Sequence, residues 1–119
     1  MKLNYDFIRE LLLAIEEKTD GIVNFDYPDI IGDRFPTIST SMIEYHIKFL
    51  HDAGFIQCPR SSHLLIIDIT PIGRDYLDNV RNIDIWEKTK DTAKSLGPIT
   101  LDVIREVAKA LILGHFGLK

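Results

Sequence analysis

Between residues 37 and 77 the start and stop signals of four elements follow one another in an order that few folds accommodate. Thr37 to Ser41 offers hydroxyls that can accept from the free N–H groups of a helix start, and Ile43, His46, Ile47 and Leu50 then recur at helical spacing along one face. Ala53-Gly54 closes that helix, because glycine takes the left-handed conformation that helix ends favour. Phe55 to Cys58 and Leu64 to Ile69 are rich in β-branched and aromatic side chains. Pro59, Arg60, Ser61 and Ser62 lie between them, so the pair predicts a hairpin with a polar tip. Thr70-Pro71 opens the next helix, since proline at the first helical position loses no hydrogen bond and has φ preset.

The flanking chain adds helices on both sides. Asn4 reads as the N-cap of a first helix with Ile8, Leu11, Leu12 and Ile15 on its apolar face, stopped at Lys18 to Gly21. Ile22, Val23 and Phe25 predict a short strand or a buried tether. From Asp26 to Pro36, two prolines, a glycine and three aspartates leave room for at most one helical turn, anchored by Ile30 and Ile31. Beyond Pro71 the pattern predicts a helix through Tyr76, Leu77 and Val80. Asp84 is then expected to cap a fourth helix with Trp86, Ala93 and Leu96 on one side, ended by Gly97-Pro98. Thr100 is expected to cap a fifth, carrying Ile104, Val107, Ala108, Leu111 and Ile112. At 119 residues the chain is long enough for one domain, residues 1–119, with a core over 1–82 and a helical extension over 83–119.

This order predicts an α+β fold, a winged helix-turn-helix with two additional C-terminal helices. In that fold the capped helix enters the major groove and the hairpin lies over the DNA backbone. The run from Ile43 to Ile56 resembles the recognition-helix signature of many bacterial winged-helix regulators, and Ile69-Thr70-Pro71-Ile72-Gly73 resembles their return from wing to helix.

More closely, nearly the whole chain resembles the bacterial and prophage-associated family catalogued as domain of unknown function 2513. The likeness is carried by Phe7 to Glu16, Tyr45 to Leu50, Thr70, Gly73, Leu77, Asp78, Arg81, Trp86, Lys88 and the stretch Ile99 to Val103. Against that pattern this chain carries extra residues around Phe25 to Thr37, ahead of the recognition helix. The family name itself implies no activity.

If the capped helix reads DNA, the side chains opposite its apolar stripe do so: Ser39, Thr40, Ser41, Glu44, Tyr45 and Lys48. Arg60 at the hairpin tip would meet a phosphate or the minor groove. Glu44 is the awkward member, since a carboxylate accepts from cytosine N4 but is repelled by phosphate. With only Lys48, Arg60 and Arg34 as cations on this face, each chain would neutralise few phosphates, and a homodimer would double the count. Trp86 reads first as a core or domain-edge anchor; with Val107, Leu111, Ile112 and the following apolar run through Phe116 it is also the candidate dimer seam, the alternative being a monomer whose last helix packs against the first. His46, on the core side of its helix, reads as a packed histidine.

Charge narrows the partners. The net charge of −4 argues against sequence-independent nucleic-acid binding, and it is unevenly placed: residues 1–33 carry −5, residues 34–66 carry +1 and the remainder is neutral. That acidic third, or the apolar C-terminal tail, is what a winged-helix module without DNA binding would offer a protein partner in a phage or host setting. No apolar stretch reaches the roughly 20 residues of a membrane span and no signal peptide is recognisable. A single cysteine, Cys58, suits a reducing cytoplasm. Cys58 and His63 alone make no metal site. No nucleophile elbow, paired-carboxylate, Walker or dinucleotide pattern is present, so neither catalysis nor a cofactor is expected.

Overall fold

The computed structural model of the chain describes residues 1–115. Its first helix, α1 (Tyr5–Lys18), starts where Asn4 Oδ1 accepts from the Phe7 N–H at 3.0 Å. Ile8, Leu11, Leu12, Ala14 and Ile15 have no exposed surface, so the spacing of this apolar face was fully used in burial. Each such leucine or isoleucine contributes about 1.5–3 kcal/mol relative to exposure.

After α1 the chain departs from expectation. Ile22 and Val23 are neither strand nor tether: Ile22 is 84% exposed. Asp20 Oδ1 accepts from the N–H groups of both residues, at 2.9 and 3.0 Å, and this local competition fixes a turn before any strand can begin. The strand β1 (Phe25–Asp26) follows, then α2 (Tyr27–Ile31), the single short helix that the prolines allowed. Tyr27, Ile30 and Ile31 are buried.

Ser39 caps α3 (Thr40–Asp52), its Oγ accepting from the Met42 N–H at 3.2 Å. The helix ends as its sequence predicts. The Phe55 N–H donates to Leu50 O at 2.9 Å and the Gly54 N–H to His51 O at 3.0 Å, with Gly54 at φ +78°. Ile43, His46, Ile47 and Leu50 are all buried.

The hairpin forms with a division the sequence did not predict. In β2 (Ile56–Gln57), Ile56 pairs antiparallel with Ile69 of β4 (Asp68–Ile69), whereas β3 (Leu65–Ile66) pairs with β1, Phe25 opposite Ile66. Ile67 bridges the two pairings: its N–H donates to Gln57 O at 2.8 Å and its carbonyl accepts from the Gly21 N–H at 3.3 Å. Pro59, which has no N–H to donate, ends the β2 side soon after Gln57.

Thr70 Oγ1 accepts from the Gly73 N–H at 3.1 Å at the head of α4 (Pro71–Val80). Two further helices complete the described chain, α5 (Ile83–Lys94) and α6 (Leu101–His115). Asn82, not Asp84, caps α5, accepting from the Ile85 N–H at 3.0 Å, and Asp84 lies within the first turn. Leu96 falls beyond the end of α5 and is 63% exposed, not on its buried side. Thr100 accepts from the Val103 N–H at 3.1 Å, as expected.

Contacts divide the chain into two compact units, Met1–Arg74 and the chain from Asp75 onward. In the first unit α1 packs on α2 and β4. Phe7 meets Phe35 and His46 edge to face, at centroid distances of 4.9 and 5.1 Å. In the second unit α5 and α6 pack together around Ile85, Trp86, Thr89, Ala93, Ile104 and Ala108, with Asp75 of α4 holding Arg105 of α6. The architecture is α+β, and no described helix is long and apolar enough to cross a membrane.

Candidate nucleic-acid interface

One side of α3 is committed to the core, and the geometry of His46 shows how firmly. Its Nδ1 lies 2.8 Å from Met42 O and its Nε2 lies 2.9 Å from the Asn4 N. A carbonyl only accepts and a backbone amide only donates, so the ring is neutral with its proton on Nδ1. His46 therefore joins α3 to the start of α1, as a packed, hydrogen-bonded histidine, and it fixes the rotation of α3 about its own axis.

That rotation turns Thr40, Ser41, Tyr45 and Lys48 outward, all exposed, with Ser39 exposed at the cap. Ser39 spends one lone pair on Met42 and keeps its hydroxyl proton free to donate elsewhere. Tyr45 is 37% exposed and leans edge-on against His46 at 5.5 Å, which leaves its outer edge available.

Glu44 is half-buried and engaged. Its Oε2 accepts from the Tyr27 hydroxyl at 2.6 Å, a bond that ties α2 to α3 and raises the tyrosine's ionisation above its ordinary value. Lys48 is engaged as well: its Nζ lies 2.6 Å from Asp52 Oδ2 one turn on, which holds the Asp52 carboxyl below the usual range. On the other side of Asp52, Oδ1 lies 3.5 Å from His51 Nδ1, and the His51 ring stacks on His63 of the hairpin at 6.2 Å.

Arg60 sits in the turn closed by the Ser62 N–H donating to Pro59 O at 3.3 Å; it is exposed, with no ion pair among the described residues. Behind it the Cys58 thiol donates to His63 O at 3.5 Å, and burial pushes that thiol up to about 11. No group of three metal-ligating side chains forms among the described residues. Arg34 is directed elsewhere, paired with Glu17 beside an open cleft of about 410 Å³ that Asp29 and Asp33 also line.

The structure therefore gathers Ser39, Thr40, Ser41, Tyr45 and Lys48 on one exposed helical face and places Arg60 at the tip of the adjoining hairpin. Two participants were missed. Asp52 was legible, since Lys48 and Asp52 stand four residues apart within one helix. Tyr27 was not, because no local pattern links it to Glu44, seventeen positions away.

Of the candidate dimer residues, Trp86 is 1% exposed, with Lys90 Nζ 5.6 Å from its ring centre, and so it presents no surface to a partner. It is an anchor of its own unit, the first of the two roles its sequence suggests. Val107, Leu111 and Ile112 are half-buried, and Phe116 lies outside the described residues.

A family model described as "Hypothetical protein (DUF2513)" matches residues 2–99, ending before α6. A Haemophilus influenzae protein described as uncharacterized is 31% identical, over 94% of this chain and 96% of its own length. No solved structure matches the chain.

Proposed function

The chain belongs to the family described as hypothetical proteins of domain of unknown function 2513, and from that premise we propose that it is a winged helix-turn-helix protein that binds double-stranded DNA and regulates bacterial or phage genes. The observation that carries this reading is the outward face of α3, with Thr40, Ser41, Tyr45 and Lys48 exposed beside a hairpin whose tip is Arg60. The element order supports it: α1, β1, α2, α3, then a hairpin whose return strand pairs on both sides, is the sequence of parts a winged helix uses. At thirteen residues α3 is about 20 Å long, and the major groove admits a helix.

In this reading the hydroxyls of Ser39, Thr40 and Ser41 bond phosphates or base edges at the start of the helix. Tyr45 packs against a base or sugar edge, Lys48 donates to a guanine or a phosphate, and Arg60 holds the backbone. Glu44, bound by Tyr27, positions α2 against α3 and meets a base only through its remaining lone pairs. A second copy, docked through the half-buried Val107, Leu111 and Ile112 of α6, would double the contacts, and sedimentation equilibrium is expected to report a dimer.

The charge of the face favours one other reading, a protein-binding module. Asp52 and Glu44 offset Lys48, and Asp26, Asp29 and Asp33 in the acidic first third have no ion pair among the described residues, an arrangement suited to a basic protein segment.

Fluorescence anisotropy against duplex fragments flanking the protein's own gene, across a salt series, separates the two. The DNA reading predicts saturable binding to one fragment, with a log-affinity slope against log salt no steeper than about −3 per chain, since so few cations face the duplex. Absence of binding at low salt by the folded protein would overturn it and favour the protein-binding module.

A further inference from the structure

Asp52 stands where local helix physics disfavours a carboxylate. It is the last residue of α3, at the negative end of the helix dipole, and its partner Lys48 precedes it, the weaker order for a pair four residues apart. Both side chains are more than half exposed, so the pair does little for stability. Stability of the helix therefore does not account for the arrangement. What the carboxylate does is occupy the only cation of α3's exposed face, with its second oxygen turned to His51, which in turn stacks on His63 of the hairpin.

We propose that Asp52 is a specificity-determining residue, a positioning group that withholds Lys48 from phosphates and so suppresses non-specific DNA binding; this rests on the DNA-binding reading above. The Lys48 ammonium has three donors. One is taken by Asp52 Oδ2 at 2.6 Å, and the other two stay available for a guanine edge presented in the groove. On DNA lacking that edge, a phosphate must compete with a carboxylate already in place, and that carboxylate then stands uncompensated beside the phosphate row. Non-specific affinity falls, while a base contact that leaves the Lys48 to Asp52 bond intact is spared.

The test is anisotropy with a 20-base-pair mixed-sequence duplex over a salt series, using wild type, Asp52→Asn, Asp52→Glu, Lys48→Gln and the Lys48→Gln/Asp52→Asn pair. Asp52→Asn is expected to bind this duplex about two- to fivefold more tightly, with a salt slope steeper by about 0.9, the value of one more neutralised phosphate. Asp52→Glu should restore the wild-type behaviour, and the gain should vanish when Lys48 is already Gln. An unchanged or weaker affinity for Asp52→Asn overturns the proposal. So does a gain that persists without Lys48, which would make Asp52 a general repulsive charge. If neither wild type nor Asp52→Asn binds while circular dichroism shows both folded, DNA binding itself falls and this proposal with it. That outcome is distinct from binding by wild type that Asp52→Asn leaves unchanged.

Discussion

The tyrosine at position 27 supports the candidate site from outside α3, and it does so through one hydrogen bond. Its hydroxyl donates to a half-buried carboxylate, Glu44, so removing it strands a charged acceptor. Tyr27→Phe is expected to lower the free energy of unfolding by about 1–2 kcal/mol, measured by urea denaturation, with the ring packing kept. An unchanged midpoint would mean that water replaces the hydroxyl without cost. At Cys58 the prediction concerns chemistry. The thiolate is the reactive species, and a thiol pushed up to about 11 is almost wholly protonated near pH 8. Alkylation of the native protein by iodoacetamide at pH 8 should run at least about tenfold slower than in urea, and should accelerate as pH rises toward 11. Equal rates in both states would contradict the burial of this side chain. Such residue-level facts are unevenly legible in a sequence. His46 was readable as a core histidine because its neighbours Ile43, Ile47 and Leu50 share its face, whereas the Tyr27 to Glu44 bond depends on where two separate helices meet.

At the scale of the element, punctuation was readable and pairing was not. Asn4, Ser39 and Thr100 cap helices, Thr70 heads α4 and Gly54 closes α3, because each signal acts within a few residues of itself. The cap of α5 was misplaced by two residues because Asn82 and Asp84 are chemically alike as caps, and only the Ile85 N–H chooses between them. The strands were harder: that Leu64 to Ile69 serves two partners, β1 and β2, is set by register over long separations. The segment from Phe25 to Thr37 is where β1 and α2 are built. One approach at this scale is close enough to predict from. A Cβ at Gly73 would lie 2.2 Å from Phe55 O and 2.9 Å from Ile69 Cγ2, so the head of α4 sits directly on the hairpin backbone. Gly73→Ala should therefore destabilise the first unit by about 1–3 kcal/mol, despite alanine's better helix propensity. A stabilised variant in thermal denaturation would show that α4 moves away at no cost.

For the whole molecule, the proposed DNA-binding reading sets an exposed face of α3 against a net charge that does not pull toward DNA. The chain carries −4, and its acidity lies in the first third, away in sequence from Lys48 and Arg60. Long-range attraction to DNA is therefore expected to be weak, and under the proposed function recognition would rest on short-range contacts from α3 and the hairpin tip. The most direct measurement is an amide chemical-shift titration of the labelled protein with the duplex fragment that binds it best. The largest shifts are expected at residues 39–52 and 59–63, with the acidic stretch from Asp26 to Asp33 little changed. Shifts centred on that acidic stretch, or none at saturating DNA, would contradict the assignment of α3 and its hairpin as the DNA-binding face.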